Sequence, residues 1–563
     1  MKKKIKSTVI NLTTLLLVIF TNISSAENIT ITVADSTYYT IGEEFYGIQY
    51  HRHTFNNANA IEKLQSLNLE RIRIWANVDN FHPDPTTWMW DSLDKKIEEI
   101  KNANYKIIVG MDECKEWFIG NADTAWWNYS EGVNEWKSAV AKFTNRYKDD
   151  LDMIIIFDEP NIIQPEKDYY MTGQQSAQLY IDAVKQIRNV DSTILCGGPS
   201  AFGGWENGHW AKYVLAEPDG EKYLDFISCN IFLSWDINES DENIMNKTIW
   251  YEEAPMKIRQ MLGDDYPPQI VLDAYNASAL WKDGTDPRNT TLFGGIYNIA
   301  TLLHSAKGGF DITLRWETLG GFGILNWYPN FNELPPYYAM QFLINTANLI
   351  EYSEIIKCET TESPKTDSTH HGGMNVNLYN IQPFAIKVND DKINVILINK
   401  YENDTTVVVN IPNGMQSYSL FRYDSSRITN CSTPLITENI EDTITVNCPK
   451  YSATVLQFAS DKINNIENDR PQLWDISQNF PNPFNNSTTI QYAYQYDFKI
   501  NITIYNLLGK KVFTLINEEK LAGQYKITWN GKNSDGEIVP AGIYFYKTKL
   551  NNITKWKKMV FVK

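Results

Sequence analysis

Two adjacent carboxylic acids, Asp158 and Glu159, follow an apolar run in the stretch "MIIIFDEPNI". The run has the pattern of a buried strand, and Pro160 and Asn161 come directly after the acids. In a barrel of parallel strands, catalytic groups lie at the carboxyl ends of the strands. Carboxyl groups there can move protons, although acids at strand ends also act as helix N-caps or ion-pair partners. This stretch is therefore a candidate catalytic site.

Eight short apolar runs between residues 40 and 345 alternate with stretches of helical spacing, such as Leu93, Ile97 and Ile100. The runs are "EEFYGIQY", "LERIRIWA", "YKIIVGM", "MIIIF", "STILCGG", "LDFISCNIFL", "PQIVLDAY" and "FDITLRW". Eight strand-then-helix units predict an α/β chain whose strands close into a (β/α)8 TIM barrel. No glycine-rich dinucleotide fingerprint follows any run, which disfavours an open doubly wound sheet.

The pattern changes to alternating apolar and polar residues over 351–460, as in "DKINVILINKY". This alternation predicts an accessory antiparallel β-sandwich. A polar linker at 461–472 separates it from a last β-rich module at 473–563, where prolines and turn glycines predict a small Ig-like β-sandwich.

The chain begins with the features of an export signal. A lysine-rich start is followed by an apolar run from Val9 to Phe20 and by small residues at Ser24 and Ala26. The apolar run is shorter than the roughly 20 residues that cross a bilayer, which disfavours a membrane anchor. We predict a signal peptide at 1–26, a barrel domain at 27–350 and no transmembrane segment in the mature protein.

Composition limits the partners. The chain has 51 Lys and Arg against 68 Asp and Glu, a formal net charge of −17, so nucleic acid is not an expected partner. Six cysteines in 563 residues do not make a disulfide framework. Cys431 and Cys448 lie in the β-rich region and could pair, a question that the sequence leaves open.

The block "IIIFDEPN" resembles the "NEPN" block that follows strand four in retaining glycoside hydrolases of clan A. With "KIIVGM", "CGGPSA", "DFISCNIF" and "LRWE", the chain is similar to glycoside hydrolase family 39 and its neighbours over roughly residues 40 to 459. The resemblance implies a barrel that hydrolyses O-glycosidic bonds of oligo- or polysaccharides, with Glu159 as general acid/base. Such an acid needs a raised pKa, and the isoleucines before Glu159 offer an apolar wall.

The site departs from the family pattern at the second carboxylate. The family's nucleophile is a glutamate in a block resembling "TEYN", whereas this chain has "VLDAYNAS", which leaves Ala274 at that position. Asp273 is the leading replacement through a local bulge; Glu317, Glu113 or no residue at all remain open. If the covalent route is lost, the barrel inverts configuration or only binds sugar. The alternative function is therefore an inactive carbohydrate-binding or surface adhesion protein.

Further residues are expected to shape the sugar site. The resemblance places Trp316 on the floor of the subsite for the cleaved sugar and Arg73 near the nucleophile, although Arg71 has the same facing. Asp158 stands where the family has an asparagine and Asn230 where it has a histidine; a phenylalanine, Phe232, replaces a tyrosine. The predicted substrate-binding set is Arg73, Asp158, Asn161, Asn230, Trp316 and Glu317.

Aromatic and histidine residues also follow the predicted strands. The tryptophans are Trp117, Trp126, Trp127, Trp205, Trp235, Trp316 and Trp327. Such rings can stack on sugars or fill the upper barrel core. His51 and His53 could share one face of a strand, but no matched acidic or cysteine cluster accompanies them, so we expect them to line the cleft. We predict no metal and no cofactor.

The final module carries "NPFN", "LG" and "AGIYFYK" blocks and ends with a basic cluster of Lys555, Lys557 and Lys558. It resembles the C-terminal sorting domain of the type IX secretion system. The resemblance implies a Gram-negative, Bacteroidetes-like cell and the secretion machinery as a partner. It also implies passage across both membranes to the cell surface or the medium.

Overall fold

The structure is a computed structural model in which two compact units divide between residues 462 and 463. It describes residues 29–42, 44–67, 69–84, 86–111, 129–158, 172–202, 206–263, 269–280, 285–327, 330–367, 376–440, 443–461, 475–476, 478–479, 481–494, 498–507, 509–520, 523–550 and 553–562. No helix in these ranges is both long and apolar enough to cross a membrane.

Eight parallel strands of the first unit close into the predicted barrel, and one further strand of two residues, Ala201–Phe202, extends it. The first strand of the chain, β1 (Ile29–Thr40), belongs to a different sheet. The barrel strands are β2 (Tyr46–Gln49), β3 (Arg71–Trp75), β4 (Lys106–Met111), β5 (Met153–Ile156), β6 (Leu195–Gly197), β7 (Ala201–Phe202), β8 (Phe226–Phe232), β9 (Gln269–Asn276) and β10 (Ile312–Arg315). Their hydrogen-bonded order is β6-β5-β4-β3-β2-β10-β9-β8-β7, and pairing of β6 with β8 completes the ring.

Helices follow the strands, and their apolar faces pack on the barrel. In the helix at 91–102, for example, Leu93, Ile97 and Ile100 are buried, as their spacing predicts. The helices are α1 (Ala58–Gln65), α2 (Val78–Phe81), α3 (Asp91–Asn102), α4 (Ser130–Tyr147), α5 (Gly173–Val190), α6 (Glu206–Ala216), α7 (Asp241–Asn246), α8 (Trp250–Leu262), α9 (Leu292–Gly308) and α10 (Pro335–Asn345).

The interior of the barrel is apolar in its lower layers and polar above them. A buried cluster fills the lower part, formed by Ile108, Met153, Ile155, Phe226, Val271, Ile312 and Leu314. On β9 the next inward residue after Val271 is Asp273, two positions further along. On β8 the next inward residue after Phe226 is Ser228. The polar layer therefore begins where the strands approach their carboxyl ends, which is where a barrel carries its functional groups.

The β-rich region after the barrel is one hydrogen-bonded sheet folded over an apolar core. Its strands are β11 (Glu354–Thr360), β14 (Ile381–Asn389), β15 (Lys392–Asn399), β16 (Thr405–Val409), β17 (Ser417–Tyr423), β18 (Ile436–Asn439), β19 (Ile444–Cys448) and β20 (Ser452–Ala459). β12 (Lys365–Asp367) and β13 (Val376–Leu378) pair with each other in a separate sheet. Val407 and Val446 from one part of the sheet share a buried core with Leu456 and Phe458 from the other. This arrangement is a sandwich, as predicted.

The first strand joins this sandwich, which the sequence analysis did not predict. β1 pairs antiparallel with β11 and parallel with β16, so residues more than 300 positions apart lie side by side. The partner of an isolated β-rich run cannot be read from the run itself, because strand pairing at long range depends on the finished fold.

The pairing of Cys431 and Cys448, left open above, does not occur in the structure. Both are free thiols. Cys431 packs in the main core beside the barrel, whereas Cys448 packs in the sandwich core. They behave as small buried apolar groups.

The second unit is an all-β module, as predicted. One sheet contains β21 (Asp475–Ile476), β22 (Thr488–Tyr494) and β25 (Gly523–Trp529); the other contains β23 (Phe498–Asn506), β24 (Lys511–Lys520), β26 (Gly542–Leu550) and β27 (Ile553–Phe561). Trp529, Ile502 and Tyr546 belong to its buried core, to which both sheets contribute.

Candidate active site

A buried ion pair forms the base of the site. Arg73 on β3 binds Asp273 on β9 through two hydrogen bonds, Nε to Oδ1 at 3.1 Å and Nη2 to Oδ2 at 3.0 Å. Both side chains are fully buried. The guanidinium lies 3.3 Å from the ring centroid of Trp75, and a Cβ at position 110 would lie 2.4 Å from its Nη2 atom. Gly110 therefore provides the space that the Arg73 head group occupies.

Arg71 lies two positions before Arg73 and points to the same side of β3, but its contacts are different. It pairs with Glu44 and Asp152. Of the two arginines considered, Arg73 is thus the one beside Asp273, and Arg71 belongs to a separate ionic cluster.

A bulge in β9 turns two consecutive residues toward the barrel axis. Cys229 pairs with Leu272 and Asn230 with Ala274, so Asp273 is the extra residue. Asp273 binds Arg73, while Ala274 packs with Phe232 and Trp316 at the mouth. The bulge anticipated for Asp273 exists, but this carboxylate is 0% exposed and also accepts a hydrogen bond from Ser200 Oγ at 2.9 Å. Its role as nucleophile stays a prediction.

Asp158 faces the interior beside the same arginine. Its Oδ1 lies 3.6 Å from Arg73 Nη2 and accepts a 3.0 Å hydrogen bond from Asn230 Nδ2. Phe157 has a positive φ of 67° and stacks on Trp136 outside the barrel. This local turn of the chain brings Asp158 inward. Two predicted site residues, Asp158 and Asn230, are thus in direct contact.

Trp316 lies at the mouth among other rings. Its ring stacks on Phe322 with centroids 4.4 Å apart and meets Phe232 edge-on at 5.1 Å. Asn276 donates hydrogen bonds to the carbonyl oxygens of Trp316 and Phe322. These contacts hold an aromatic surface next to Ala274.

Glu317 directly follows Trp316 and is partly exposed at the mouth. Its side chain is 20% exposed, and its Oε1 lies 3.7 Å from Nε2 of His51. Burial raises the pKa of Glu317 to about 7. Burial, with His53 and Arg52 nearby, lowers the pKa of His51 to about 4. Near neutral pH a neutral imidazole therefore stands beside a carboxyl group that can gain or lose a proton.

Two polar atoms at the base of the site are buried and have no hydrogen-bond partner among the residues that the structure describes. They are Nη1 of Arg73 and Oε1 of Gln49. Nε2 of Gln49 donates to the backbone oxygen of Asp273 at 2.9 Å, which fixes its orientation. A buried donor and acceptor left open beside a cleft are suited to a polar ligand.

Several predicted residues lie outside the described ranges. They are Glu113, Trp117, Trp126, Trp127, Glu159, Asn161 and Trp205. His51 and His53 are described, with ring centroids 5.5 Å apart. Within the described residues, no group of three His, Cys, Asp or Glu side chains could hold a metal ion.

The sequence analysis missed Gln49, Trp75, Gly110 and Ser200. Gln49 ends the first barrel run, and Ser200 follows the glycines of "CGGPSA". A polar residue at the carboxyl end of a predicted barrel strand is a usable signal, and it would have found Gln49. The stacking of Trp75 on Arg73 and the space at Gly110 depend on distances that no sequence pattern carries.

A family model for the secretion system C-terminal sorting domain matches residues 478–563. This match covers nearly the whole second unit. The domain directs export to the cell surface or the extracellular space in Bacteroidetes, so the chain is a secreted or surface protein. No curated protein sequence matches the chain.

Several solved structures that are similar to this chain are glycoside hydrolases. An α-L-arabinofuranosidase from Thermotoga maritima has a TM-score of 0.54 at 14% identity and covers 76% of this chain and 99% of its own. A family 30 subfamily 8 xylanase from Clostridium acetobutylicum has a TM-score of 0.53 at 13% identity and covers 77% of this chain and 99% of its own. A family 44 xyloglucanase from Paenibacillus polymyxa has a TM-score of 0.54 at 10% identity and covers 77% of this chain and 100% of its own. At these identities the likeness shows the fold, a glycosidase-like barrel with a β-sandwich.

Proposed function

We propose that the protein is a secreted glycoside hydrolase that cleaves O-glycosidic bonds of oligo- or polysaccharides. The observation that carries the proposal is the Glu317 carboxyl group, which lies beside Trp316 at the mouth and can exchange a proton near neutral pH. Glycoside hydrolysis needs paired carboxyl groups, of which one protonates the leaving oxygen. The strand-four motif supplies Glu159 as the general acid/base in this proposal.

Glu317 is a better second carboxyl group than Asp273. Both oxygens of Asp273 are bound by Arg73 in a fully buried pair, so attack on a sugar would require that pair to break. Removing one partner of a buried ion pair costs about 3–5 kcal/mol. We assign Asp273 to holding Arg73 in place. Arg73, Gln49, Asp158 and Asn230 then bind sugar hydroxyls at the base of the site, with Asn161 as a further contact.

The proposed reaction inverts configuration at the anomeric carbon. Ionised Glu317 accepts a proton from water, the water oxygen bonds to the anomeric carbon, and Glu159 gives its proton to the departing oxygen. A base with a pKa near the working pH is effective, because it is ionised yet still basic. The small side chain of Ala274 leaves room at the mouth for the water.

The choice among glycans is part of the proposal. The solved structures share the fold, whereas the likeness to glycoside hydrolase family 39 rests on sequence motifs. A family 39-like activity is therefore part of the proposal. The similar structures act, by their descriptions, on xylan, xyloglucan and arabinofuranosides. A first panel therefore contains xylan, xyloglucan, mixed-linkage glucan, arabinan and polygalacturonate.

The test is hydrolysis by the purified full chain, followed by NMR of the anomer released first. The expected result is cleavage of a glycan with inversion, and a loss of about 10²–10⁴-fold in turnover for Glu159→Gln. Retention would refute the Glu317 assignment. Unchanged turnover in Glu159→Gln would refute the acid/base assignment.

A second candidate function is sugar binding without catalysis. The observation in its favour is Ala274, because the position beside Trp316 that the family resemblance gives to the nucleophile carries a methyl group here. Glycan binding measured by calorimetry without any released product, at all pH values from 5 to 8, would favour this candidate over hydrolysis.

A further inference from the structure

Two exposed tryptophans stand at the mouth of the barrel. Trp235 follows β8 and Trp327 follows β10, and 49% and 52% of their surfaces are exposed. β8 and β10 are the two neighbours of β9 in the barrel. The two rings therefore belong to loops on either side of the strand that carries Ala274. Exposed indole rings that flank a candidate site offer faces on which a ligand can stack.

The ring of Trp235 continues the aromatic surface of the site. Its centroid lies 6.3 Å from that of Phe232, which in turn lies 5.1 Å from Trp316. Trp316 then stacks on Phe322 at 4.4 Å. The ring of Trp235 is thus joined to the aromatic surface around Trp316 at the mouth.

Trp327 is held in a fixed orientation. A Cβ at position 320 would lie 2.2 Å from its indole ring, so the ring packs directly on the backbone of Gly320. His51 meets it edge-on, with centroids 5.3 Å apart. The backbone nitrogen of Trp327 donates to Oδ1 of Asn326 at 2.7 Å. A ring that is already ordered loses little conformational entropy when a ligand stacks on it.

The loop that carries Trp235 is also fixed. Arg288 donates to the backbone oxygens of Asp236 at 3.0 Å and Glu239 at 2.6 Å. Its guanidinium pairs in turn with Asp286, which is fully buried. Lys247 donates to the backbone oxygen of Leu233 at 3.0 Å. Both platforms therefore exist before any ligand arrives.

We propose that Trp235 and Trp327 are stacking platforms for sugar units outside the cleavage site, so that the substrate is a neutral glycan of several units. Pyranose rings present apolar faces of C–H groups that suit an indole surface. A uronic acid chain fits less well, because Glu317 and a net charge of −17 repel it. The inference rests on the proposed function and names its substrate class.

The test compares long and short ligands in variants of the full chain. The variants are Trp235→Ala and Trp327→Ala, with Trp327→Tyr to restore a ring. Trp556→Ala is the matched control, because Trp556 is 51% exposed and lies in the second unit. Calorimetric Kd values for a neutral hexasaccharide and disaccharide of the panel glycan are measured with Glu159→Gln added to every chain, so that the ligand is not cleaved, and kcat/KM for an aryl monoglycoside is measured without that change.

We expect each alanine variant to bind the hexasaccharide about tenfold more weakly, as loss of an anchoring tryptophan does. The kcat/KM of both alanine variants for the monoglycoside should stay within twofold of the parent chain's value. The hexasaccharide Kd of Trp327→Tyr and of the control Trp556→Ala should also stay within twofold of the parent's.

Unchanged hexasaccharide affinity in both alanine variants would overturn the inference and leave the proposed hydrolysis intact. Equal losses for the hexasaccharide and the monoglycoside would also overturn it, since they indicate a structural role. Preferential binding of polygalacturonate would refute the neutral class. If the parent chain neither binds nor cleaves any glycan of the panel, the proposed function fails and this inference fails with it.

Discussion

At the scale of single residues, the protonation of Glu317 links the site to stability. Its pKa is raised from 4.5 in a free chain to about 7 by burial. Between these values the folded protein keeps a proton that the unfolded chain releases. Since the folded state binds more protons in this window, stability falls as the pH rises from 4.5 to 7 and is then constant.

The variant Glu317→Gln removes this dependence. We therefore expect the difference in unfolding free energy, parent minus variant, to decrease as the pH rises from 4.5 to 7. Urea unfolding at half-unit pH steps measures it, and the other titrating groups cancel in the difference. Parallel curves for the two proteins would show that Glu317 keeps an ordinary pKa.

The ion pair between Arg73 and Asp273 makes a second prediction. Arg73→Met leaves Asp273 buried without its partner, which we expect to destabilise the fold by about 3–5 kcal/mol. The matched control is Arg146→Met, because Arg146 and Asp94 form a pair whose side chains are 41% and 38% exposed. A surface pair of this kind contributes about 1 kcal/mol or less. Equal losses in both variants would contradict the structural role assigned to Asp273.

At the scale of elements, Gly110 tests the space around Arg73. A methyl group at position 110 meets the guanidinium at 2.4 Å, and Asp273 limits how far that group can move. We expect Gly110→Ala to cost about 1–3 kcal/mol, as overpacking does. Gly42 has open space around its missing Cβ, so Gly42→Ala should stay within about 0.5 kcal/mol. Thermal unfolding of the two variants measures these losses. A Gly110→Ala variant as stable as the parent chain would show that the Arg73 side chain can move away.

The sequence predicted the barrel because each element carries its own signal. The eight apolar runs and the helical spacing of Leu93, Ile97 and Ile100 are local patterns, and the structure confirms both. The sequence could not predict that β1 joins the sandwich, because its partners lie far along the chain. It also could not decide whether β9 contains a bulge. One extra residue changes which side chains face the axis, and only the pairing with β8 and β10 reveals it.

The same limit applies to the site. Asp158, Asn230 and Trp316 could be named as candidates because they lie at or near the ends of barrel strands, within blocks that resemble those of the family. Gln49, whose side chain binds the backbone of Asp273, could have been named as a polar residue at a strand end, whereas Ser200, which binds the carboxylate of Asp273, could not be ranked above other polar residues. Their importance follows from contacts made only in the folded barrel.

At the scale of the whole molecule, the two compact units serve different purposes. The first contains the barrel and sandwich, and the second is the sorting domain. Each unit has its own buried core. We therefore expect a chain that ends at residue 462 to unfold cooperatively and to retain the glycan affinity of the full chain within twofold.

In a cell with the type IX machinery, the same truncation should prevent release to the surface or medium. Fractionation of the culture measures this outcome. Normal surface display of the truncated chain would contradict the sorting role of the second unit. Loss of glycan affinity on truncation would show that the second unit contributes to binding.

The central claim is that Glu317 takes part in hydrolysis in its ionised form. The most direct measurement is kcat/KM on the best panel glycan, for the parent chain and for Glu317→Gln, at pH values from 5 to 8. The account predicts that the parent's kcat/KM rises with pH with a midpoint near 7, and that the loss in the variant, about 10²–10⁴-fold at pH 8, becomes smaller toward pH 5, where Glu317 of the parent is protonated. A variant that keeps the parent's rate, or a parent whose rate is highest at pH 5, would contradict it.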